Sequence, residues 1–524
     1  MVSHRRNARR HRRAGSATGV RRIAESASLR SGSYVDHFCR CTDRECSRQH
    51  YEKQRLGQRS VAIRAGYHIG GARRLPRHKA RTQAGATCRG QGGTDAIMPN
   101  TYASNREELE GIQLTKLREL LAAVRPANAF YETKLGQAGV DADIESIDAF
   151  RINCPFTTKP ELAADHTTHP PYGSNLTYPL NRYTRVHQTS GTSGTPLSWP
   201  DTPDNWQWMI DNWCDIFRAA GVNCDDRIFF AFSFGPFIGF WLAFEAGEKL
   251  GALSITGGGL STISRLQSIF IHNANVLCCT PTYALRLAEV AKTENINLGK
   301  SPVRTIVVAG EPGGSIPSTR QQLEEAWPGA TIFDHHGMTE VGPVTYQCPN
   351  RAGILHVLEQ AYLAEIIDPK TTKPIAIGET GELVLTTLGR HGSPLIRYRT
   401  GDLVTAAIES PCDCGRLDLA LQGGIIGRAD DMVVVRGVNV YPSAVEQILR
   451  GIGGIAEYRV RIKHNDALVE MSVEVEPETG SDGSLAKRLS KTFQETLALR
   501  VPVTLVKPGA LPRFELKAKR WITQ

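Results

Sequence analysis

Gln188-Thr189-Ser190-Gly191-Thr192-Ser193-Gly194-Thr195-Pro196 sets two glycines among small hydroxyl residues. Glycine permits positive φ and tight turning, so this loop can wrap backbone N–H groups and hydroxyls around phosphate oxygens. It is not the GxxxxGK[ST] nucleotide loop, because no Lys stands at the required place. Taken alone, it reads equally as a solvated Ser/Thr/Gly linker. The flanking sequence decides between the two.

Downstream, apolar runs at 228–232, 276–279 and 305–309 read as buried strands, with another at 331–333. Amphipathic segments at 263–271, 283–292 and 318–326 read as the helices among them. That alternation implies right-handed crossovers and a largely parallel sheet, an α/β fold. The most apolar run, 228–244, is interrupted by Ser233, Gly235, Pro236 and Gly239. It reads as a strand, a loop and a helix start, because a bilayer span needs roughly 20 consecutive apolar residues. Upstream, Leu114, Leu117, Leu120, Leu121 and Val124 make one helical face. Trp206, Trp208 and Trp213 sit on another expected helix, packed against the sheet.

Beyond Gly378 the pattern turns β-rich, with strands expected at 381–386 and 403–408. After Gly427-Arg428 a smaller unit follows. It pairs a strand at 432–435 with a helix from Ser443, strands at 458–462 and 469–475, a helix at 485–497 and a closing strand at 503–506. This β-α-β-β-α-β order suits a small α+β lid domain. A chain of 524 residues exceeds one hydrophobic core. The expected organisation is a leader at 1–97, a large domain at 98–429 and a small mobile domain at 430–524.

Four more segments carry chemistry. Asp334-His335-His336-Gly337-Met338-Thr339-Glu340 follows an expected strand, at the carboxyl end where open α/β sheets bind ligands. Tyr398-Arg399-Thr400-Gly401-Asp402 supplies a carboxylate with two acceptor oxygens; alone it reads as a turn between strands. Gly427-Arg428-Ala429-Asp430-Asp431-Met432 runs into Arg436-Gly437-Val438-Asn439-Val440-Tyr441-Pro442. The tail, Leu511-Pro512-Arg513-Phe514-Glu515-Leu516-Lys517-Ala518-Lys519-Arg520, is basic. In this order and spacing the five segments resemble the adenylate-forming superfamily of acyl-CoA ligases, peptide-synthetase adenylation domains and luciferases. The resemblance covers nearly everything after Met98. Gly-Val-Asn-Val-Tyr-Pro, with Ala309-Gly310-Glu311-Pro312-Gly313, looks like the phenylacetate–CoA ligase branch.

The resemblance implies an ATP-dependent acid–thiol ligase working through an acyl-adenylate. Thr189, Ser190, Gly191, Thr192, Ser193 and Gly194 would hold phosphates, although Thr195 stands where the family often has Lys. Thr339 would contact the α-phosphate and Glu340 would hold Mg²⁺, for which a hard oxygen ligand is apt. Asp402 would take the ribose hydroxyls and Arg428 the nucleotide, with Asp430 as the hinge. Gly310, Glu311 and Pro312 would flank the adenine, and Asp334, His335 and His336 would complete the nucleotide site. Lys517, with Lys519 as the fallback, would supply the cation that stabilises charge developing at the α-phosphate.

By family position Phe234, Gly235 and Phe237, with Trp241, would line the acid pocket. Aromatic lining favours an aryl or arylacetic acid, while the same residues in isolation read as core packing. The thiol would be free coenzyme A or, alternatively, a carrier-protein phosphopantetheine. A homodimer is the oligomer considered. Cys348, His356, Cys412 and Cys414 make a closed set for structural Zn²⁺, similar to an arrangement in this branch. The CxC spacing is short, and reduced, uncoordinated cysteines are the alternative.

The net charge of +9 is unevenly placed. Residues 1–97 hold 22 Lys and Arg against 6 acids, which leaves the remainder at −7. A mildly acidic body offers no argument for binding nucleic acid. The leader lacks periodicity and reads as an Arg-rich arm, a transit peptide, or sequence upstream of a start at Met98; the last reading is adopted. Its Cys39, Cys41, Cys46 and His50 are read as a chance cluster. Without an apolar signal segment, a reducing cytoplasm is expected, with no membrane partner.

Overall fold

The side chain of Asn105 accepts a hydrogen bond from the Glu108 amide and starts the helix Arg106–Val124, whose Leu117, Leu120, Leu121 and Val124 are buried. Such caps satisfy amides that a first helical turn leaves without partners. The computed structural model describes residues 103–189, 196–407, 412–429, 431–436, 438–465, 468–478, 480–481, 483–514 and 518–523. The leader with Met98, loop residues 190–195, Asp430 and Lys517 lie outside the described residues.

Strands Leu253–Thr256, Arg227–Phe230, Val276–Cys279, Thr305–Val308 and Thr331–Asp334 form, in that order, one parallel sheet. Their side chains alternate between two cores. Phe229, Leu277, Ile306, Val308 and Ile332 meet the helices Thr262–Ile271, Pro281–Thr293 and Pro317–Ala326. Ile228, Phe230, Cys278, Val307 and Phe333 meet Pro203–Ala219 and Trp241–Leu250 on the other face. Burial on both faces is why these strands are continuous apolar runs. Thr280 caps one crossover helix and Pro281 opens it, where a missing N–H costs nothing. The α/β expectation holds, with strand ends moved by a residue or two.

An antiparallel sheet follows, of Tyr362–Ile367, Thr380–Thr387, Tyr398–Thr405 and Gly427–Arg428. The strand expected at 403–408 begins five residues earlier, so Tyr-Arg-Thr-Gly-Asp lies inside a strand and is not a turn. A register shift between Glu382 and Val384 accommodates it. Gly401 takes φ 78° there, and the Thr400 hydroxyl donates to Leu383 O at 2.7 Å. Such bulges re-aim side chains without ending the strand, and Asp402 lies within this one. Three short strands, Thr345–Gln347, Ile354–Val357 and Ala420–Gln422, form a separate sheet.

In the C-terminal region Val460, Val473, Val445, Leu449, Leu489 and Phe493 share one core. The sheet runs Val503–Leu505, Leu468–Pro477, Ile455–Asn465, Trp521–Thr523. This corrects the expected order. Val433–Val435 folds straight back on Val438–Val440 as a hairpin, with Arg436 at φ 49°, and its backbone pairs locally. The vacant edge of the sheet is taken by Trp521–Thr523, parallel to Ile455–Asn465. Among the described residues no helix is long and apolar enough to cross a membrane.

Candidate active site

The carboxyl ends of the central strands bring most of the singled-out segments together. Thr305–Val308 leads into Gly310, at φ 93°, and Glu311. Glu311 Oε1 accepts from the Thr282 amide at 2.9 Å, and its Oε2 accepts from the Ala518 amide at 3.1 Å. Arg520 donates to the Thr282 hydroxyl at 3.3 Å and pairs with Glu457 at 2.6 Å. The basic tail is thereby pinned at the carboxyl end of two inner strands, one residue beyond Lys517. Lys519 is exposed.

Asp402 is 3% exposed and lies on the strand beside Arg428. Arg428 Nη1 donates to its Oδ1 at 3.0 Å, and His336 Nε2 lies 3.0 Å from Oδ2. The Arg428 hydrogen bond orients the carboxylate, and the His336 ring stands beside it.

Thr339 and Glu340 sit on the turn of a two-stranded ribbon, Gly337–Met338 with Gly342–Pro343. The Thr339 hydroxyl reaches Gln188 O at 3.5 Å, at the neck of the Ser/Thr/Gly loop. Thr189 closes that neck: its amide donates to Leu197 O and its hydroxyl accepts from the Leu197 amide, both at 3.0 Å. Tyr398 Oη donates to Glu340 Oε1 at 3.1 Å. Burial, then the Glu340 charge, push the phenol well above its ordinary range, so it remains a donor.

Two residues that the sequence did not flag fix this turn. Arg390 donates to Thr339 O at 2.8 Å and forks onto Asp201 at 2.8 and 2.7 Å, with both side chains fully buried. The available signal was the bracketing Gly389 and Gly392. A Cβ on Gly392 would stand 2.7 Å from Asn205 Nδ2, and one on Gly389 would collide with Trp208.

Asp334 and His335 point their side chains into protein. Ser315 Oγ donates to Asp334 Oδ2 at 2.5 Å, and the His335 amide donates to Oδ1 at 3.0 Å. The His335 ring lies 4.4 Å from that of Trp213, and its Nδ1–H donates to Thr345 O at 2.6 Å. Burial lifts Asp334 to about 6 and drops His335 to about 3. Below about pH 6.5 the unfolded chain takes a proton that buried His335 refuses, so stability falls with pH. Between about pH 6 and 4 folded Asp334 keeps a proton that the unfolded chain releases, so stability rises as pH falls. In that window the two slopes oppose each other. Relative to wild type, His335→Gln is expected to gain about 1.4 kcal/mol per pH unit as pH falls from 6 to 4, and Asp334→Asn to lose as much. Urea unfolding at pH 6, 5 and 4 reads both; parallel curves would refute the assignment.

Phe234 packs edge-on to Trp241 at 4.6 Å and near Phe244 at 5.6 Å, while Phe237 is 37% exposed. Trp241 Nε1 donates to Gly235 O at 3.2 Å, and Pro236 O accepts from the Gln188 amide at 2.8 Å. The aromatic loop and the neck of the Ser/Thr/Gly loop are therefore joined. Beside the separate three-stranded sheet the ligand atoms of Cys348, His356, Cys412 and Cys414 lie within 4.8 Å of one another.

The family profile for AMP-binding enzymes matches residues 186–389, and that for the AMP-binding enzyme C-terminal domain matches 437–524. The phenylacetate–coenzyme A ligase of Thermus thermophilus is 31% identical over 443 residues, covering 80% of this chain and 96% of that protein. The chain belongs to the adenylate-forming enzymes, on the phenylacetate–coenzyme A ligase branch. The Escherichia coli phenylacetate–coenzyme A ligase agrees, at 30% identity over 79% of this chain and 94% of its own. Among solved structures, 2-hydroxyisobutyryl-CoA ligase in its postadenylation state, with 2-HIB-AMP, gives a TM-score of 0.76 at 27% identity, covering 82% of this chain and 94% of that one. The same ligase in its thioesterification state, at equal coverage, gives 0.61. This adenylate-forming chain is thus arranged more like the first state than the second.

Proposed function

We propose that this chain joins a flat, apolar carboxylic acid of the aryl or arylacetic kind to coenzyme A in two steps. The observation that carries the reading is the tail beside Lys517, held at the carboxyl end of the inner strand Thr305–Val308 by the bond from Ala518 to Glu311. Thr339, past the carboxyl end of the neighbouring strand Thr331–Asp334, reaches the neck of the Ser/Thr/Gly loop, with Glu340 next to it in the chain. In the first step a carboxylate oxygen of the acid bonds to the α-phosphorus of ATP, the bond to the bridging oxygen breaks, and pyrophosphate leaves. Lys517 meets the charge that builds on the α-phosphate oxygens. Thr339 donates to that phosphate, and Asp402 accepts from the ribose hydroxyls. Mg²⁺, when bound beside Glu340, neutralises phosphate charge; the carboxylate is held for it by Tyr398. In the second step the small domain turns about Asp430, the thiolate attacks the acyl carbon, and AMP leaves.

Zinc fits the cysteine cluster. Cys348 Sγ and Cys412 Sγ are 3.7 Å apart, close to the ~3.8 Å that tetrahedral Zn–S bonds of about 2.3 Å require. Cys414 Sγ is 3.4 Å from His356 Nε2, and His356 Nδ1 donates to Asp418 O at 3.1 Å. That second contact fixes the tautomer in which Nε2 is free to bind metal. Bound there, zinc would supply cross-linking and no chemistry of the reaction.

The reading is tested by supplying ATP, Mg²⁺ and an arylacetic acid with either free coenzyme A or a phosphopantetheine-bearing carrier, and weighing the products. Acyl-coenzyme A is expected; acyl transfer to the carrier alone would favour the other acceptor. Phe234→Ala should raise KM for the acid by about tenfold or more through lost apolar contact. KM for ATP should stay within about twofold; equal changes in both would remove Phe234 from the acid pocket.

A further inference from the structure

Cys348 directly follows Gln347, so the strand that ends at the metal cluster is Thr345–Gln347. Every residue flanking Tyr346 on that strand holds the Asp334-His335-His336 segment. Thr345 O accepts from His335 Nδ1 at 2.6 Å, and Thr345 Oγ1 accepts from the His336 amide at 2.9 Å. Gln347 Oε1 accepts from the Asp334 amide at 3.2 Å and from Arg320 at 2.7 Å. This is one wall of the proposed ribose site.

The opposite wall hangs from the same sheet. His356 faces Tyr346 on one side and Ala420 on the other. From Ala420–Gln422 the chain passes Gly424, where a Cβ would stand 2.7 Å from Ser315 Oγ, the donor to Asp334. It then gives the Ile426 amide to Leu403 O at 2.9 Å and places Arg428 on Asp402. The two walls meet where His336 Nε2 lies 3.0 Å from Asp402 Oδ2. Outside this sheet, Cys412 and Cys414 precede Asp418, which is bonded to Tyr346 Oη at 2.5 Å and to the Glu359 amide at 3.3 Å, and Leu419, whose carbonyl accepts from the Val357 amide at 3.0 Å.

We propose that metal held by Cys348, His356, Cys412 and Cys414 sets the affinity of this enzyme for ATP, by clamping the three-stranded sheet from which both walls of the ribose site hang. The proposal rests on the zinc and ribose-site readings above. The strands are only three or four residues long, so tying two of them to the segment that leads into the third removes freedom that nucleotide would otherwise have to remove on binding. Apparent affinity falls by the fraction of chains in the competent arrangement. Thr345 acts here as a positioning residue, through His335 and His336, and touches no substrate.

The test uses the full chain, with metal content by elemental mass spectrometry and ATP·Mg²⁺ affinity by equilibrium dialysis without acid. Removal of one zinc by chelator is expected to raise Kd for ATP about tenfold, and zinc returned to the protein is expected to restore it. By reciprocity, saturating ATP should tighten zinc binding by the same factor. Thr345→Val should keep its zinc yet weaken ATP binding several-fold, and its Kd should respond less to zinc removal than the wild type does. Thr345→Ser, which retains the hydroxyl, should behave as wild type. Zinc loss with an unchanged Kd would overturn the proposal while leaving the zinc site standing. Protein that neither holds nor takes up zinc would overturn both. If the zinc-free chain unfolds, Thr345→Val decides alone: zinc retained with wild-type ATP affinity defeats the proposal.

Discussion

Lys517→Ala is expected to slow acid-dependent ATP–pyrophosphate exchange by about 10²–10³-fold, the size of effect seen when one charge-stabilising donor is removed from a transition state. ATP binding should change by only a few-fold, because the proposed ribose and adenine contacts do not involve Lys517. The expectation depends on where the tail is held. Ala518 donates to Glu311, and Arg520 is anchored on both Thr282 and Glu457. The Ala518 anchor lies one residue beyond Lys517, beside the segment proposed to flank the adenine, whereas Lys519 is exposed. Lys519→Ala should retain exchange within about twofold. Exchange lost on Lys519→Ala and kept on Lys517→Ala would exchange the two roles.

Arg390→Met should destabilise the protein by about 3–5 kcal/mol, because it leaves Asp201 charged and fully buried without its partner. Urea unfolding gives the measurement, as a fall in midpoint. Arg390→Met with Asp201→Leu, which removes both charges, should recover much of the loss. Recovery of stability should not bring recovery of activity. Arg390 also holds Thr339 O, and the apolar pair cannot. A single Arg390→Met variant as stable as wild type would show that the buried pair has another source of compensation.

How much of this was legible follows from what kind of interaction each feature uses. The central sheet was legible because strands buried on both faces must be apolar throughout, as Val276–Cys279 and Thr305–Val308 are. The helix expected at 283–292 starts two residues earlier, at a Thr280-Pro281 start that its apolar period does not mark. The edge strand Trp521–Thr523 was not legible: three residues after a basic tail carry no period, and only pairing with Ile455–Asn465 defines them. At the site, Asp402 and Glu340 stand in recognisable segments. Sequence could not separate His335 from its neighbour His336, since Trp213, from a distant helix, decides which ring is buried. Nor could it reveal Arg390 with Asp201, or Thr345 with His336, because these bonds join separated segments without periodic spacing.

Acid-dependent ATP–pyrophosphate exchange, run on the full chain with Mg²⁺ across aryl, arylacetic and aliphatic acids, tests acyl-adenylate formation most directly. Exchange that requires an acid, and is fastest with arylacetic or aryl acids, is the predicted result. No exchange with any acid, in protein shown to bind ATP, would contradict it.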